Sequence, residues 1–320
     1  MRSRRGVALL AALWLVVAIA TVALQFSIEA RERRTVGILV SERGIQRAAA
    51  LGALAFTQAR LEQALRVAPT GTNVQRLRSS DPWMDVDSVY SGPVLVDSMQ
   101  VDVVARDLGE RLNINRANET QLQTFFSFLL GDYSKATQLA QAIMDWRDAD
   151  SIPRPSGAER DAYIKAGMLA LPTNTPFREI EELEHVMGMT PEIYSTVGPY
   201  LTTHGTAAVN LNTAPVAVLR ALPGMTDATL NRILQLRSQG QRISSIADVF
   251  PAMRAGGRRL PGQVASPAAL AQLNAQVAVN TTEVELTIIA RVGPQAPPTR
   301  LIAVIAKQGA TTATVRTKLW

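Results

Sequence analysis

The sequence predicts an α+β protein in which a long N-terminal helix packs on an antiparallel sheet, with a large helical block inserted between the strands. Three observations predict this. An apolar run at the N-terminus continues without proline to Arg66. Residues 88–104 and 283–320 show the period-two alternation of half-buried strands. The chain between them, 112–276, is helical in pattern and repeats itself.

The first stretch combines a basic leader with an apolar segment. Arg2, Arg4 and Arg5 precede Gly6, and the run Val7–Phe26 follows without a charge. About 20 apolar residues are needed for an α-helix to cross a bilayer. Arginines before the run and none within it predict a cytoplasmic N-terminus, with the rest of the chain beyond that membrane.

Three interpretations of this stretch remain open. It could be a plain signal anchor. A cleaved secretory signal would need a shorter apolar core and a small-residue cleavage site, which Ala23–Gln25 fits poorly. A prepilin leader would be cut between Gly6 and Val7, before the apolar segment. The close succession of basic leader, glycine and apolar run favours the prepilin leader.

Composition limits the function classes. The 320 residues suffice for two moderate domains, and cysteine is absent, so no disulfide stabilises either. The net charge of +6 includes three leader arginines and falls to +3 without them, which is weak support for nucleic-acid binding.

The sequence contains no Gly-Lys-Ser/Thr phosphate loop and no Gly-x-Ser-x-Gly elbow. His185 and His204 lack metal-ligand spacing. We therefore predict that the protein is not an enzyme.

The long helix is predicted over residues 7–66, ending at Pro69–Gly71. An apolar stripe is expected to pack on the chain's own globular part, and its upper part on helices of partners: Ile28, Val36, Leu39, Val40, Ile45, Leu51, Leu54, Leu61 and Leu65. The predicted strands are Ser88–Tyr90, Pro93–Val96, Met99–Val104, Glu283–Val292, Arg300–Lys307 and Thr312–Trp320.

The helical block contains internal similarity. Leu112–Leu122 matches Val209–Leu219, with Asn115 falling on Asn212. We expect Asn115, and Asn212 or Thr213, to cap the helices that follow. Two further matches pair Val186–Thr190 with Leu222–Thr226, and Phe177, Ile180 and Leu183 with Ile243, Ile246 and Val249.

These units resemble helix-hairpin-helix or sterile-alpha-motif-like (SAM-like) hairpins, with Gly188 and Gly224 in the turns. Such hairpins can bind the DNA backbone through turn amides. The DNA-binding form usually has a second glycine two residues later, where this chain has Thr190 and Thr226. Packing within the block is therefore the favoured interpretation, and no nucleic-acid partner is predicted.

An acidic loop lies between the first and second units. Asp148, Asp150 and Glu159 stand at relative positions 1, 3 and 12, the carboxylate spacing of a calcium loop. Position 6 is Pro153 rather than glycine, so the loop is not an EF-hand. Oxygen ligands without nearby histidine or cysteine favour Ca²⁺ over a transition metal. A solvated turn without a metal is the alternative.

Taken together, these motifs resemble the general secretion pathway protein K family, the minor pseudopilin K of type II secretion. The resemblance covers nearly the whole chain and rests on these segments: Arg4–Leu10, Asp107–Asn115, Asp145–Asp150, Gly157–Glu159, Val209–Pro215 and the C-terminal strands. Three positions depart from the family pattern. Ala11 replaces the glutamate usual in pilins. Arg160 and Ala162 depart from the family's Gly-Ala-Glu-Asp-Asp-Tyr-Tyr loop, and Arg160 places a positive charge beside the predicted calcium loop.

The resemblance implies a pilin-like fold with a helical insertion, located at the pseudopilus tip in complex with minor pseudopilins I and J above the major pseudopilin. It implies processing at Gly6–Val7 and N-methylation by the prepilin peptidase. It also implies calcium in the helical domain, with Asp148, Asp150, Glu159 and Asp161 as candidate ligands.

The resulting prediction is a tip protein that starts or caps the pseudopilus and supports export, held in the inner membrane by one span with its bulk in the periplasm. A membrane-anchored DNA receptor of the competence type is the alternative. The predicted segments are the leader 1–6, the transmembrane segment 7–26, the helix continuation 27–66, the first pilin-like part 67–111, the helical domain with two SAM-like units 112–276, and the C-terminal strands 277–320.

Overall fold

A computed structural model describes residues 3–66, 83, 86–249, 275–293, 296–309 and 311–319. The helices are α1 (Ser3–Arg66), α2 (Val86–Tyr90), α3 (Glu119–Leu130), α4 (Tyr133–Arg147), α5 (Arg160–Lys165), α6 (Pro191–Val197), α7 (Val216–Arg220) and α8 (Asp227–Ser238). The strands are β1 (Gly92–Val96), β2 (Met99–Asp107), β3 (Leu112–Asn113), β4 (Leu201–Thr202), β5 (Val209–Asn210), β6 (Val277–Ala278), β7 (Glu283–Ala290), β8 (Thr299–Gln308) and β9 (Thr311–Leu319). The predicted turn at Pro69–Gly71 lies outside the described residues.

Helix α1 is a single element of 64 residues, as the proline-free sequence predicts. At 1.5 Å per residue it is about 96 Å long. Within the described chain it is the one helix long and apolar enough to cross a membrane. Its own protein covers only its C-terminal part, where Ala50, Ala53 and Leu61 are fully buried. The stripe therefore packs on the globular part from about Gln46 onward, and Ile28, Val36, Leu39, Val40, Ile45 and Leu51 are exposed.

One antiparallel sheet has the strand order β1-β2-β7-β8-β9. Strands from before and after the helical block thus lie side by side, which confirms the predicted α+β architecture. Alternate residues of β2 and β7 are buried against α1, because successive side chains on a strand point to opposite faces.

The predicted strand at Ser88–Tyr90 is wrong, because this segment belongs to helix α2. Val86 and Tyr90 are the buried side chains, and their spacing of four places both on one face of a helix. The Asp87 carboxylate accepts a hydrogen bond from the Asp107 amide at 3.1 Å. Packing of this short turn against the end of β2 overrides its β-type composition.

A β-bulge in β9 opposite residues 304–305 connects the sheet to the helical block. Before the bulge, Thr312 donates to Glu62 of α1 at 2.8 Å. After it, Arg316 forms an ion pair with Glu179 of the helical block. The bulge inserts one residue and so changes the face to which the later side chains point. One edge strand thereby binds elements on both faces of the sheet.

The helical block has its own apolar core, built as two units of the same plan. In each unit a short parallel strand pair closes the ends: β3 with β4, and β5 with β6. Asn115 in the first unit brackets Phe177, donating to its carbonyl and accepting from its amide, both at 2.8 Å. Asn212 does the same to Ile243, at 2.9 Å each. The matched sequences therefore form matched structures.

The expectation that these asparagines cap helices is wrong. Asn118 caps α3 through a capping box, and Pro215 precedes α7 without a side-chain cap. Asn115 and Asn212 are needed instead to satisfy buried backbone groups of a distant loop. Thr213, the third candidate cap, donates to the buried Asp107 carboxylate at 2.8 Å.

Two arginines complete the repeat. Arg147 and Arg237 stand at equivalent positions, at the ends of α4 and α8. Burial lowers the pKa of each to about 10. Each guanidinium donates to two backbone carbonyls of its own asparagine motif, those of Ile114 and Ala117 in the first unit and Leu211 and Ala214 in the second.

Candidate metal centre

The acidic loop begins where α4 ends and runs to α5. Asp148 is the C-terminal cap residue of α4, and Glu159 is the residue before the first turn of α5. Gly157 allows the loop to close over α4, because a Cβ built at this position would lie 2.0 Å from Oδ2 of Asp145. The loop therefore folds back on the end of the helix from which it starts.

This folding brings three of the four predicted ligands together. Ligand oxygens of Asp148, Asp150 and Glu159 all lie within 4.8 Å of one another. Asp161 is outside this group and exposed in the first turn of α5. Glu159 precedes the helix with an extended backbone, whereas Asp161 lies within the first helical turn.

The cluster contains buried oxygens with no hydrogen-bond partner. Glu159 is 6% exposed, and neither of its carboxylate oxygens accepts a hydrogen bond among the residues that the structure describes; the same is true of Oδ1 of Asp148. Burial raises the pKa of Glu159 above its ordinary value, and the neighbouring Asp145 and Asp148 raise it further. An unpaired carboxylate in such surroundings is costly, and a bound cation would remove that cost.

Two residues of the centre were missed at the sequence level. Asp145 is completely buried, and Arg154 lies across the cluster. The Nη1 atom of Arg154 donates to Oδ1 of Asp145 at 2.5 Å and to Oδ2 of Asp148 at 2.6 Å. Asp145 could have been found from its spacing of three residues from Asp148, which places both side chains on the same side of the end of α4. The position of Arg154 depends on how the loop closes.

The residues present fit a calcium ion. Asp148, Asp150 and Glu159 would hold it, since hard oxygen ligands are those that Ca²⁺ prefers. Glu159 distinguishes this cluster from an ordinary acidic surface, because it is buried, directed into the cluster and without a hydrogen-bond partner among the described residues. Arg160, which departs from the family pattern, is exposed.

The fold matches a solved structure. The crystal structure of the GspK–GspI–GspJ complex from the enterotoxigenic Escherichia coli type 2 secretion system contains a chain that aligns with a TM-score of 0.62. The alignment covers 88% of this chain and 98% of that chain, at 19% sequence identity. The fold of this chain is therefore one already known from a solved structure.

Sequence comparisons find similarity to one family over part of the chain. A family model for type II secretion system protein K matches residues 101–206. The type II secretion system protein K of Dickeya chrysanthemi is 36% identical over 120 residues, 35% of this chain and 32% of the relative. That of Pectobacterium carotovorum subsp. carotovorum is 31% identical over 110 residues, 32% of this chain and 34% of the relative. The chain thus spans about a third of the length of the curated relatives it matches, and the predicted resemblance to protein K is confirmed over this segment.

Proposed function

We propose that the protein is a minor pseudopilin at the tip of a type II secretion pseudopilus, where it starts or caps assembly with minor pseudopilins I and J and supports export across the outer membrane. The match to protein K over residues 101–206 and the shared fold support this proposal. The observation that carries it is an apolar helix surface that this chain leaves uncovered.

That surface lies in α1, well beyond the apolar N-terminal run. Val36, Ile38, Leu39 and Val40 are 58, 48, 43 and 66% exposed. Because successive residues are about 100° apart around a helix, these four side chains form a partial ring over about 200° of its circumference. A single packed neighbour could not cover them, so at least two partner helices are required to remove this ring from water. Pseudopilins I and J would supply these two helices.

The helical block supports the proposed position of this subunit at the tip of the pseudopilus. It has a separate apolar core and is joined to the sheet through the Arg316–Glu179 ion pair and the buried Asp107. A block of this size beside the pilin-like sheet would clash with a neighbour packed above it in a filament. The subunit would therefore end the filament, with the major pseudopilin below it.

Membrane insertion and processing form part of the proposal. Val7–Phe26 would cross the inner membrane, with the arginine leader in the cytoplasm and the globular part in the periplasm. The prepilin peptidase would cut between Gly6 and Val7 and methylate the new N-terminus. Membrane lipid would surround the span before assembly.

Calcium would bind the cluster of Asp148, Asp150 and Glu159. When bound, the ion would supply positive charge to carboxylates that otherwise repel one another across the loop. The residues themselves hold the loop between α4 and α5 closed through Asp145 and Arg154. This would stabilise the helical block without any catalytic role.

Co-purification from cells that also express the cognate pseudopilins I and J tests the assembly proposal. Ile38→Glu is expected to lose most of the complex, since it places a charge in the apolar ring. Ser41→Glu is the matched control, because Ser41 is exposed and polar on the same helix. Recovery of Ile38→Glu complex at wild-type yield would exclude the ring as the partner surface, and absence of any wild-type complex would refute the proposed assembly.

The mature N-terminal mass tests the processing step separately. Protein made together with a prepilin peptidase should begin at methylated Val7. An intact Met1 or Arg2 start would instead indicate an ordinary anchor and favour the alternative of a DNA receptor.

A further inference from the structure

Arg154 divides the acidic cluster into two parts. On one side its guanidinium binds Oδ1 of Asp145 and Oδ2 of Asp148, and its backbone amide donates to Oδ2 of Asp145 at 3.1 Å. A further ion pair links Nε of Arg154 to Oε2 of Glu119 of α3 at 3.5 Å. On the other side, Oδ1 of Asp148 and both oxygens of Glu159 have no hydrogen-bond partner in the described part of the chain.

The arginine is thus a cation held permanently at the edge of a site that suits a second cation. It comes from the same loop as the predicted ligands and shares one of them, Asp148. A guanidinium is always charged in proteins, so its repulsion of a bound metal ion cannot be removed by losing a proton. At the same time it pairs with Asp145, which is completely buried and would otherwise be an isolated charge.

We propose that Arg154 is an internal counter-cation that keeps the loop folded without calcium and lowers the affinity of the site for calcium. This inference rests on the calcium site proposed above and assigns a positioning residue to it. The ion-free loop stays closed because Arg154 holds Asp145 and Asp148 together, and the ion must bind at the remaining oxygens against the positive charge beside them.

Removing the charge of Arg154 has two opposing effects on calcium affinity. Their relative sizes decide whether the affinity rises or falls. Without Arg154 the ion-free loop is less ordered, which weakens binding. Repulsion between a divalent ion and a guanidinium that shares a carboxylate with it is also lost, which strengthens binding. The backbone amide of Arg154, which donates to Asp145, is unchanged by the substitution and still holds the loop. The loss of repulsion is therefore the larger effect, and we expect calcium to bind about tenfold more tightly to Arg154→Gln.

The test is calcium titration calorimetry, with thermal melts in chelator and in calcium, on the full-length chain in detergent micelles. Arg154→Gln should melt lower than wild type in chelator, bind calcium more tightly and show the larger calcium-induced rise in Tm. Arg154→Lys keeps the charge and should retain wild-type affinity. Arg160→Gln, an exposed arginine next to Glu159, should change neither quantity.

The outcomes separate the two proposals. If Arg154→Gln lowers Tm equally in chelator and in calcium, or binds calcium no more tightly, Arg154 has a structural role only and the inference is wrong. If Arg154→Gln does not fold, a wild-type affinity in Arg154→Lys supports the inference and a tighter one overturns it. If wild type shows no calcium response, the calcium site itself is refuted, and the inference with it.

Discussion

Replacing Asn212 by alanine should destabilise the second helical unit by about 3 kcal/mol. The amide of Asn212 donates to the carbonyls of Ile243 and Val279 at 2.9 and 2.8 Å, and its carbonyl accepts from the Ile243 amide at 2.9 Å. Each net hydrogen bond contributes about 1 kcal/mol, and the backbone groups of the buried Ile243 would be left unpaired. The loss is therefore large for a single polar side chain.

The assay is urea unfolding of the full-length chain in micelles, combined with hydrogen exchange at the Ile243 amide, which should lose protection. Asn231→Ala is the control, since this exposed asparagine on α8 undergoes the same chemical change and should alter stability by less than about 0.5 kcal/mol. If Asn212→Ala costs no more than Asn231→Ala and protection at Ile243 is unchanged, the asparagine bridge does not hold the unit together.

Three further predictions concern the site, the long helix and the alternative function. In chelator, the raised pKa of Glu159 contributes stability that is complete below its unfolded-state pKa and is lost as pH rises through its folded-state pKa. Wild type should therefore lose stability relative to Glu159→Gln over that window in thermal melts, and parallel pH profiles would contradict this. Gly52→Ala should destabilise the packing of α1, because its Cβ would lie 2.9 Å from a methyl of Val96. Gly37→Ala meets nothing within 4 Å and should stabilise the helix by up to about 1 kcal/mol. Equal melting temperatures of the two variants would show that α1 does not pack on β1 as described. Gel-shift at physiological salt should show no tight, salt-sensitive DNA binding, and its detection would favour the DNA receptor.

Much of the fold could be predicted because its signals are local. The absence of proline in Val7–Arg66 predicts one helix, and the alternation in Glu283–Val292 predicts a strand that the structure places at Glu283–Ala290. Repeated asparagine motifs predict two similar units. The errors occur where short segments lack a clear period: Ser88–Tyr90 is helical because Val86 and Tyr90, one turn apart, are buried together, a feature of packing.

The candidate site was predicted only in outline. Spacing identified Asp148, Asp150 and Glu159, which the structure brings together, whereas the family resemblance added Asp161, which lies outside the group. Glu159 precedes α5 and Asp161 lies in its first turn, so whether the two carboxylates meet depends on where this helix begins. The position of Arg154 among the carboxylates depends on the close approach of Gly157 to Asp145, which no sequence period encodes.

The sequence by itself determined the properties that depend on neighbours in the chain: the length of the apolar helix, the alternation of the strands and the duplication in the helical block. Each arises from a periodicity that exposes one face of an element to water and the other to a core. Only the tertiary structure decided which polar atoms are buried without partners, where the bulge in β9 directs Arg316, and which carboxylates Arg154 binds. Those outcomes depend on contacts between residues far apart in the chain, or across a loop whose closure no local pattern specifies.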